Sequence, residues 1–275
     1  MQDLSARYPV WLCDVWGVIH NGRSPFAVTV QSLVRHRAAG GTVILVTNSP
    51  RSRAGVEIQL RQIGVSPESH DAIVTSGDVT RDLMVQHGGG LLYHLGPQRD
   101  HSIFAGLDIR LTGLDDARAV ICTGLFDDVN DRLEDYAPLL DDMVSRNLAM
   151  ICANPDKIVR KGSDLLYCAG TLADMYAERG GKVLMAGKPF TPIYDLAVSE
   201  AARLRQAPVG RSDILAIGDG PETDIRGAAD YGIDALLVAE GVMDASAGLA
   251  AAEALVRQQV PNARILRTVW DLAWA

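Results

Sequence analysis

Four short polar motifs follow apolar runs in this sequence, and together they could bind and transform an anionic ligand. Asp14 comes directly after VWLC, the pair Thr47 and Asn48 after VILV, Lys188 after VLMAG, and Asp219 after ILAIG. Carboxylates, a hydroxyl, an amide and an ammonium are the groups that such a site needs. Since ligands collect at the carboxyl ends of the strands in an open parallel sheet, the motifs predict one site for an anion.

The elements that must position these residues alternate between strand and helix along the first 90 residues. Strands are predicted at VWLCD, TVILVTN and AIVTS, the second of them a continuous β-branched run typical of a strand buried on both faces. Helical spacing covers VTVQSLVRHRAAGG and SPRSRAGVEIQLRQIG. In the second helix we expect Ser49 to be the N-cap and Pro50 the first helical residue.

The last 90 residues repeat this alternation, and a mixed segment lies between. Strands are predicted at KVLMAGK, DILAIGD and DALLVAEG, with helices at TPIYDLAVSEAARLR and ETDIRGAADYG. The middle segment, from about residue 80 to 182, has the apolar runs GLLYHLG, RAVICTGL and NLAMICAN. The pattern predicts an α/β fold with right-handed crossovers, in which two halves of one parallel sheet flank an insert. Two consecutive α/β domains are the alternative.

Composition limits the classes of partner. The 275 residues are 48% hydrophobic and 22% charged, with a net charge of −8, so no basic surplus exists for nucleic acid or an anionic membrane. The four cysteines form no CxxC pair, and we expect buried free thiols in a reducing, cytoplasmic compartment. We expect no signal peptide and no segment that spans a membrane.

The motifs DVWGV, VTNSPR, GKP and IGDGPETDIRGA resemble, in this order, the four motifs of the haloacid dehalogenase superfamily. The long insert and its ANPD sequence resemble the class IIA branch of that superfamily. The resemblance implies a Rossmann-like core at residues 1–80 and 183–275, with an inserted α/β cap domain at 81–182. Most members are Mg²⁺-dependent phosphatases that work through an aspartyl-phosphate intermediate.

The resemblance also implies roles for the motif residues. Asp14 would be the nucleophile, while Thr47, Asn48 and Lys188 would hold the phosphoryl oxygens. The Mg²⁺ site would be formed by Asp14, the main-chain carbonyl of Trp16, Asp219 and Asp224. Charge stabilisation and positioning are most of what phosphoryl transfer requires.

Trp16 departs from the family pattern, which usually has a second aspartate at this position. That aspartate protonates the leaving oxygen and then activates water, and an indole can do neither. The loss of general acid–base help costs roughly 10²–10⁴-fold in rate. Alkyl phosphates, which need a protonated leaving group, should therefore be poor substrates, while aryl and acyl phosphates should suffer less.

Three interpretations of Trp16 remain open from the sequence. The indole could be a core side chain without a part in chemistry. The chain could be an active phosphatase whose acid comes from elsewhere, such as His20, Asp156 or Glu222. It could also be a weakly active or non-catalytic protein that binds a phosphorylated ligand.

The insert is expected to contact a small phosphorylated metabolite, through Asn154 and Asp156 of the sequence CANPD. An Asn-Pro turn with a capping aspartate is the alternative for these two residues. The resemblance further suggests a homodimer. A plain nucleotide-binding protein lacks support, since no GxGxxG follows the first strand and no GxxxxGK[ST] occurs.

Overall fold

A computed structural model describes residues 1–87, 89–161, 164–239 and 247–274. The strands, in chain order, are β1 (Val10–Cys13), β2 (Thr42–Thr47), β3 (Ala72–Thr75), β4 (Leu91–Leu95), β5 (Arg110–Leu111), β6 (Ala119–Cys122), β7 (Ala149–Cys152), β8 (Ile158–Lys161), β9 (Asp164–Tyr167), β10 (Lys182–Met185), β11 (Ile214–Gly218), β12 (Asp234–Val238) and β13 (Ile265–Val269). The α-helices are α1 (Gln2–Arg7), α2 (Ala27–Ala38), α3 (Arg53–Ile63), α4 (Ser76–His87), α5 (Ala137–Ser145), α6 (Ala169–Glu178), α7 (Thr191–Arg205), α8 (Arg226–Tyr231) and α9 (Leu249–Gln259).

The chain divides into two compact units. Unit 1 comprises Met1–Thr47, Ala54–Val74 and Lys188–Ala275, and unit 2 comprises Asn48–Arg53 and Thr75–Gly187. The predicted domain boundaries, 80/81 and 182/183, and the function of the insert as a cap stay predictions.

Unit 1 is built on a six-stranded sheet in the order β13-β12-β11-β1-β2-β3. Strand β1 pairs in parallel with both β2 and β11, and β12 pairs in parallel with β11 and β13. Every residue of β1, β2 and β11 is buried, which explains their continuous apolar sequences. Helices α2 and α7 pack on β2, α8 on β12 and α9 on β13.

The strand order of this sheet reverses at β1, and the reversal determines where polar residues meet. Strands β2 and β3 extend the sheet on one side of β1, while β11, β12 and β13 lie on the other. Asp14 follows the last residue of β1, and Asp219 follows the last residue of β11. The backbone N–H of Asp14 donates to the carbonyl oxygen of Ile217 at 2.8 Å, so the two strand ends stay in register. Such a switch point is where open α/β sheets bind ligands.

Unit 2 has its own five-stranded sheet in the order β10-β7-β6-β4-β5, with every neighbouring pair parallel. Strands β8 and β9 form a separate antiparallel hairpin. Helices α4 and α6 pack on β7, and α6 also packs on α5 and β10. The α/β prediction is confirmed in both units, and all four cysteines are buried free thiols as expected.

Two local predictions are wrong. Strand β10, at Lys182–Met185, joins the sheet of unit 2, with Met185 opposite Cys152, and not the sheet that carries Asp14. An apolar run has the same pattern in either sheet, so periodicity cannot choose between them. Helix α3 begins at Arg53 rather than after Ser49, whose hydroxyl instead accepts from the Arg51 N–H at 3.3 Å within a loop.

Among the residues that the structure describes, no helix combines the length and the apolar character needed to cross a membrane.

Candidate active site

Three buried carboxylates come together at the switch point of unit 1. Asp14, Asp219 and Asp224 each offer one oxygen, and these oxygens lie within 4.8 Å of one another. We call the three residues the carboxylate cluster. Their relative exposures are 7%, 3% and 6%, so all three charges are largely removed from water. Carboxylates gathered in this way are characteristic ligands of a hard divalent cation.

A turn of π-helix over Pro221–Ile225, ahead of α8, brings Asp224 into the carboxylate cluster. The backbone N–H groups of Asp224 and Ile225 both donate to the carbonyl oxygen of Gly220. The approach is close, since a Cβ on Gly218 would stand 2.2 Å from the Cβ of Asp224. Only glycine at position 218 leaves room for this arrangement. Sequence periodicity predicts a helix here but not the wider first turn.

Lys188 joins two members of the carboxylate cluster. Its ammonium donates to Asp14 Oδ1, to Asp224 Oδ1 at 2.7 Å and to the carbonyl oxygen of Val46 at 3.1 Å. The second oxygen of Asp224 accepts from the Gly220 N–H at 3.1 Å. Lys188 is itself buried, with 4% relative exposure, so its charge acts in a medium of low polarity.

The pKa values in this cluster are strongly perturbed. Burial raises the pKa of the Asp14 carboxyl to about 7, against the opposing effect of the Lys188 ammonium. Burial and the neighbouring carboxylates raise the pKa of Asp219 well above its ordinary value. Burial alone would lower the pKa of Lys188, but Asp14 and Asp224 raise it above the ordinary value. The Lys188 ammonium therefore does not balance the negative charge of three carboxylates.

One carboxylate oxygen of the cluster has no hydrogen-bond partner among the described residues. It is Oδ2 of Asp219, which is fully buried. An unpaired buried carboxylate oxygen is costly, and a cation would satisfy it. Residues Asp14, Asp219 and Asp224 therefore fit a divalent metal ion by both donor type and charge.

The predicted phosphate-binding pair falls on both sides of the boundary between the units. Thr47 is the buried last residue of β2 in unit 1. Asn48 belongs to unit 2, where its amide nitrogen donates to Asp156 Oδ1 at 2.8 Å. The Asp156 N–H in turn donates to Asn154 Oδ1 at 3.1 Å. No sequence signal indicated that Asn48 and Asp156, 108 residues apart, would be partners.

Asn154 also lines a cavity of about 190 Å³ within unit 2. Arg51, Arg99 and Tyr167 are among the other residues of its lining, which mixes charged, polar and apolar groups. Arg99 makes a bidentate ion pair with Asp128. Unit 2 thus contains a partly polar cavity large enough for a small ligand.

Trp16 is not a core side chain, because 45% of its surface is exposed. A Cβ on Gly22 would stand 2.5 Å from the indole Cη2, so the six-membered ring rests directly against that glycine. The ring of His20 meets the indole edge to face, with a centroid distance of 5.3 Å. This geometry removes the interpretation of Trp16 as a buried packing residue.

The three alternative acids named from the sequence have other partners. His20 is buried, its Nδ1 accepts from the Gly22 N–H at 2.9 Å, and burial lowers its pKa. Glu222 is exposed and forms an ion pair with Arg226 one helical turn away. Asp156 accepts from Asn48 as described above.

A haloacid dehalogenase-like hydrolase model matches residues 11–110, and a HAD-hydrolase-like model matches residues 185–272. A comparison with curated proteins finds no match.

Solved structures similar to this chain include a hydrolase of the haloacid dehalogenase-like family from Brucella suis 1330. It is 44% identical, with 99% of this chain and 98% of that chain covered and a TM-score of 0.87. A possible sugar phosphatase from Cytophaga hutchinsonii is 19% identical, with 99% and 97% covered and a TM-score of 0.81. A 4-nitrophenylphosphatase from Thermotoga maritima is 20% identical, with 99% and 98% covered and a TM-score of 0.76. With the relative from Brucella suis matched over nearly its whole length, the chain belongs to the haloacid dehalogenase-like family of hydrolases.

Proposed function

We propose that this hydrolase is a Mg²⁺-dependent phosphatase that cleaves a monoester of a small phosphorylated metabolite, with Asp14 as the nucleophile. The buried carboxylate cluster bridged by Lys188 is the observation that carries the proposal. The possible sugar phosphatase and the 4-nitrophenylphosphatase among the similar structures support the class of reaction. They share the fold at low identity and do not identify the substrate.

Mg²⁺ would be held by carboxylate oxygens of Asp14, Asp219 and Asp224, together with the main-chain carbonyl of Trp16. When all three carboxylates are ionised, they and the Lys188 ammonium carry a net charge of −2, and the unpaired Oδ2 of Asp219 offers a ready ligand atom. When bound, the ion would neutralise charge between the nucleophile and the phosphoryl group.

The residues of the chain would then act in two steps. An Asp14 oxygen attacks phosphorus, a P–O bond to Asp14 forms, and the bond to the ester oxygen breaks with its electron pair. Water next attacks the aspartyl-phosphate and releases phosphate, which restores the carboxylate. Thr47, Asn48 and Lys188 are proposed to hold the phosphoryl oxygens, and Lys188 keeps Asp14 oriented through their hydrogen bond.

The leaving group is where this site differs from the family pattern. Trp16 cannot donate a proton, and His20, Glu222 and Asp156 are engaged with other groups. We therefore propose that no acid replaces the missing aspartate. Esters whose leaving oxygen departs as a stable anion, such as aryl and acyl phosphates, are then favoured over alkyl phosphates.

A non-catalytic binder of a phosphorylated ligand is the second candidate, and Trp16 is the observation that favours it. The same carboxylate cluster and Lys188 would hold a phosphate group without turning it over. In unit 2, Asn154 and Asp156 are proposed to contact the ligand under either function. Homodimer formation and a cytoplasmic location stay proposals from the resemblance and the composition.

The deciding experiment compares hydrolysis of 4-nitrophenyl phosphate, acetyl phosphate and glycerol phosphate by the whole protein. With Mg²⁺ we expect turnover of the first two, much slower turnover of the third, and loss of all activity after chelation. Asp14→Asn should abolish turnover, because an amide cannot attack phosphorus. Activity of this variant within about tenfold of wild type would remove Asp14 from the nucleophile role. Binding of phosphate esters without any turnover would support the second candidate.

A further inference from the structure

We propose that Trp16 also determines specificity, because its exposed indole face stacks with the ring of an aryl leaving group. This inference rests on the proposed phosphatase function and specifies its substrate class as phosphate esters of planar aromatic alcohols. We call the indole and its two supporting residues, Gly22 and His20, the indole shelf.

The position of Trp16 close to Asp14 in the chain is the first argument. Val15 is 4% exposed and belongs to the core of unit 1, together with Val18 and Ile19. Trp16 is 45% exposed, so its indole stands outside that core. Trp16 follows the proposed nucleophile Asp14 by two residues, which span at most about 7 Å between their Cα atoms, so the exposed indole can reach a leaving group bound at Asp14.

The fixed position of the indole is the second argument. Gly22 has φ +86°, and its missing Cβ lets the six-membered ring lie against the backbone. The imidazole of His20 meets the indole at an interplanar angle of 79°, and the Gly22 N–H holds that imidazole through Nδ1. These contacts hold the indole in place, while 45% of the Trp16 surface stays exposed. A ligand that stacks on it loses little additional side-chain entropy.

The chemistry of the leaving group is the third argument, and it agrees with the geometry. A phenolate departs without a proton, so it tolerates the absence of an acid at position 16. A phenolate ring is also the leaving group that gains most from an aromatic surface. The one residue that excludes alkyl esters by chemistry thus favours aryl esters by binding.

Acetyl phosphate is the matched control, since its leaving group, acetate, also departs without a proton but has no ring. Trp16→Leu should raise KM for 4-nitrophenyl phosphate by about 3- to 10-fold, the range of one aromatic pair, with a small change in kcat. KM for acetyl phosphate should change by less than about twofold. Trp16→Phe, which keeps an aromatic face, should retain most of the affinity for the aryl ester.

Gly22→Ala tests the support of the shelf, since its Cβ would displace the indole. It should raise KM for the aryl ester in the same selective way as Trp16→Leu. Equal shifts for both esters, or none for either, in these variants would overturn the inference.

Binding of phosphonates, which are not hydrolysed, keeps the inference testable if no ester is turned over. Phenylphosphonate should bind the wild-type protein more tightly than methylphosphonate in calorimetry, and Trp16→Leu should remove that difference. The same preference for phenylphosphonate in both proteins would overturn the proposed stacking on Trp16. Failure of the phosphatase proposal would instead appear as absent turnover, whatever the phosphonates do.

Discussion

At the scale of single residues, position 16 sets the chemistry of this site apart from its family. The carboxylate cluster, Lys188 and Thr47 stand where the family pattern has them in sequence. Position 16 has an exposed indole instead of an acid. An indole provides neither of the two functions that one aspartate usually combines, namely help with the leaving group and activation of water.

Trp16→Asp should restore the missing acid–base group. Because the indole is half exposed, the change should leave the fold intact. Hydrolysis of glycerol phosphate should rise by about 10- to 1,000-fold, a part of the usual general acid–base contribution, since the new carboxylate is not optimally oriented. The measurement is kcat/KM for the alkyl ester with saturating Mg²⁺.

Trp16→Asn is the matched control for this gain, because the Asn amide is similar in size to the Asp carboxyl group and has no proton to transfer. An equal gain in both variants would mean that the indole only obstructs the site. No gain in a folded Trp16→Asp variant would mean that the acid comes from another residue or that the site does not turn over.

At the scale of secondary structure, the sequence predicted the ends of β1, β2 and β11, because continuous apolar runs stop abruptly at polar residues. It misplaced β10, since an apolar run does not encode which of two parallel sheets it joins. It also started α3 too early, where the Ser-Pro pair forms a loop. The π-helical turn that turns Asp224 inward depends on the close contact with Gly218, which periodicity does not report.

Helix α2 carries a titratable group whose burial gives a testable pH dependence. His36 is fully buried, stacks on Trp11 at 3.8 Å between centroids and bonds Ser5 Oγ through Nδ1. Burial lowers its pKa from 6.5 to about 4. Below about pH 6.5 the unfolded chain therefore binds a proton at His36 that the folded chain does not bind. The free energy of unfolding falls as the pH drops toward 4.

The expected loss from His36 between pH 7 and pH 5 is about 2 kcal/mol in the free energy of unfolding. Urea titrations followed by tryptophan fluorescence measure it in unit 1, which contains all four tryptophans. His36→Asn, which does not titrate, should be less stable at pH 7 but lose about 2 kcal/mol less on acidification. Equal losses in the two proteins would contradict the neutral, buried state of His36.

At the scale of the whole molecule, the order of strands explains why residues distant in sequence meet. Strand β1 from the first part of the chain lies beside β11 from the last part, so Asp14 and Asp219 become neighbours. Unit 2 has its own sheet and its own partly polar cavity. Sequence alternation predicted both α/β parts. The partner of Asn48 in unit 2 could not be predicted, because hydrogen bonds between distant loops leave no periodic pattern.

We propose that Asp14 becomes phosphorylated and that the site lacks the group that speeds the second step. Rapid mixing of the Mg²⁺-loaded protein with excess 4-nitrophenyl phosphate tests it most directly. We expect a burst of about one equivalent of nitrophenolate per protein, followed by slower turnover. Mass spectrometry of the quenched protein should find one phosphoryl group on the peptide that contains Asp14, and Asp14→Asn should show neither signal. Steady turnover without a burst and without a phosphoryl group on Asp14 would contradict the proposed phosphorylation of Asp14.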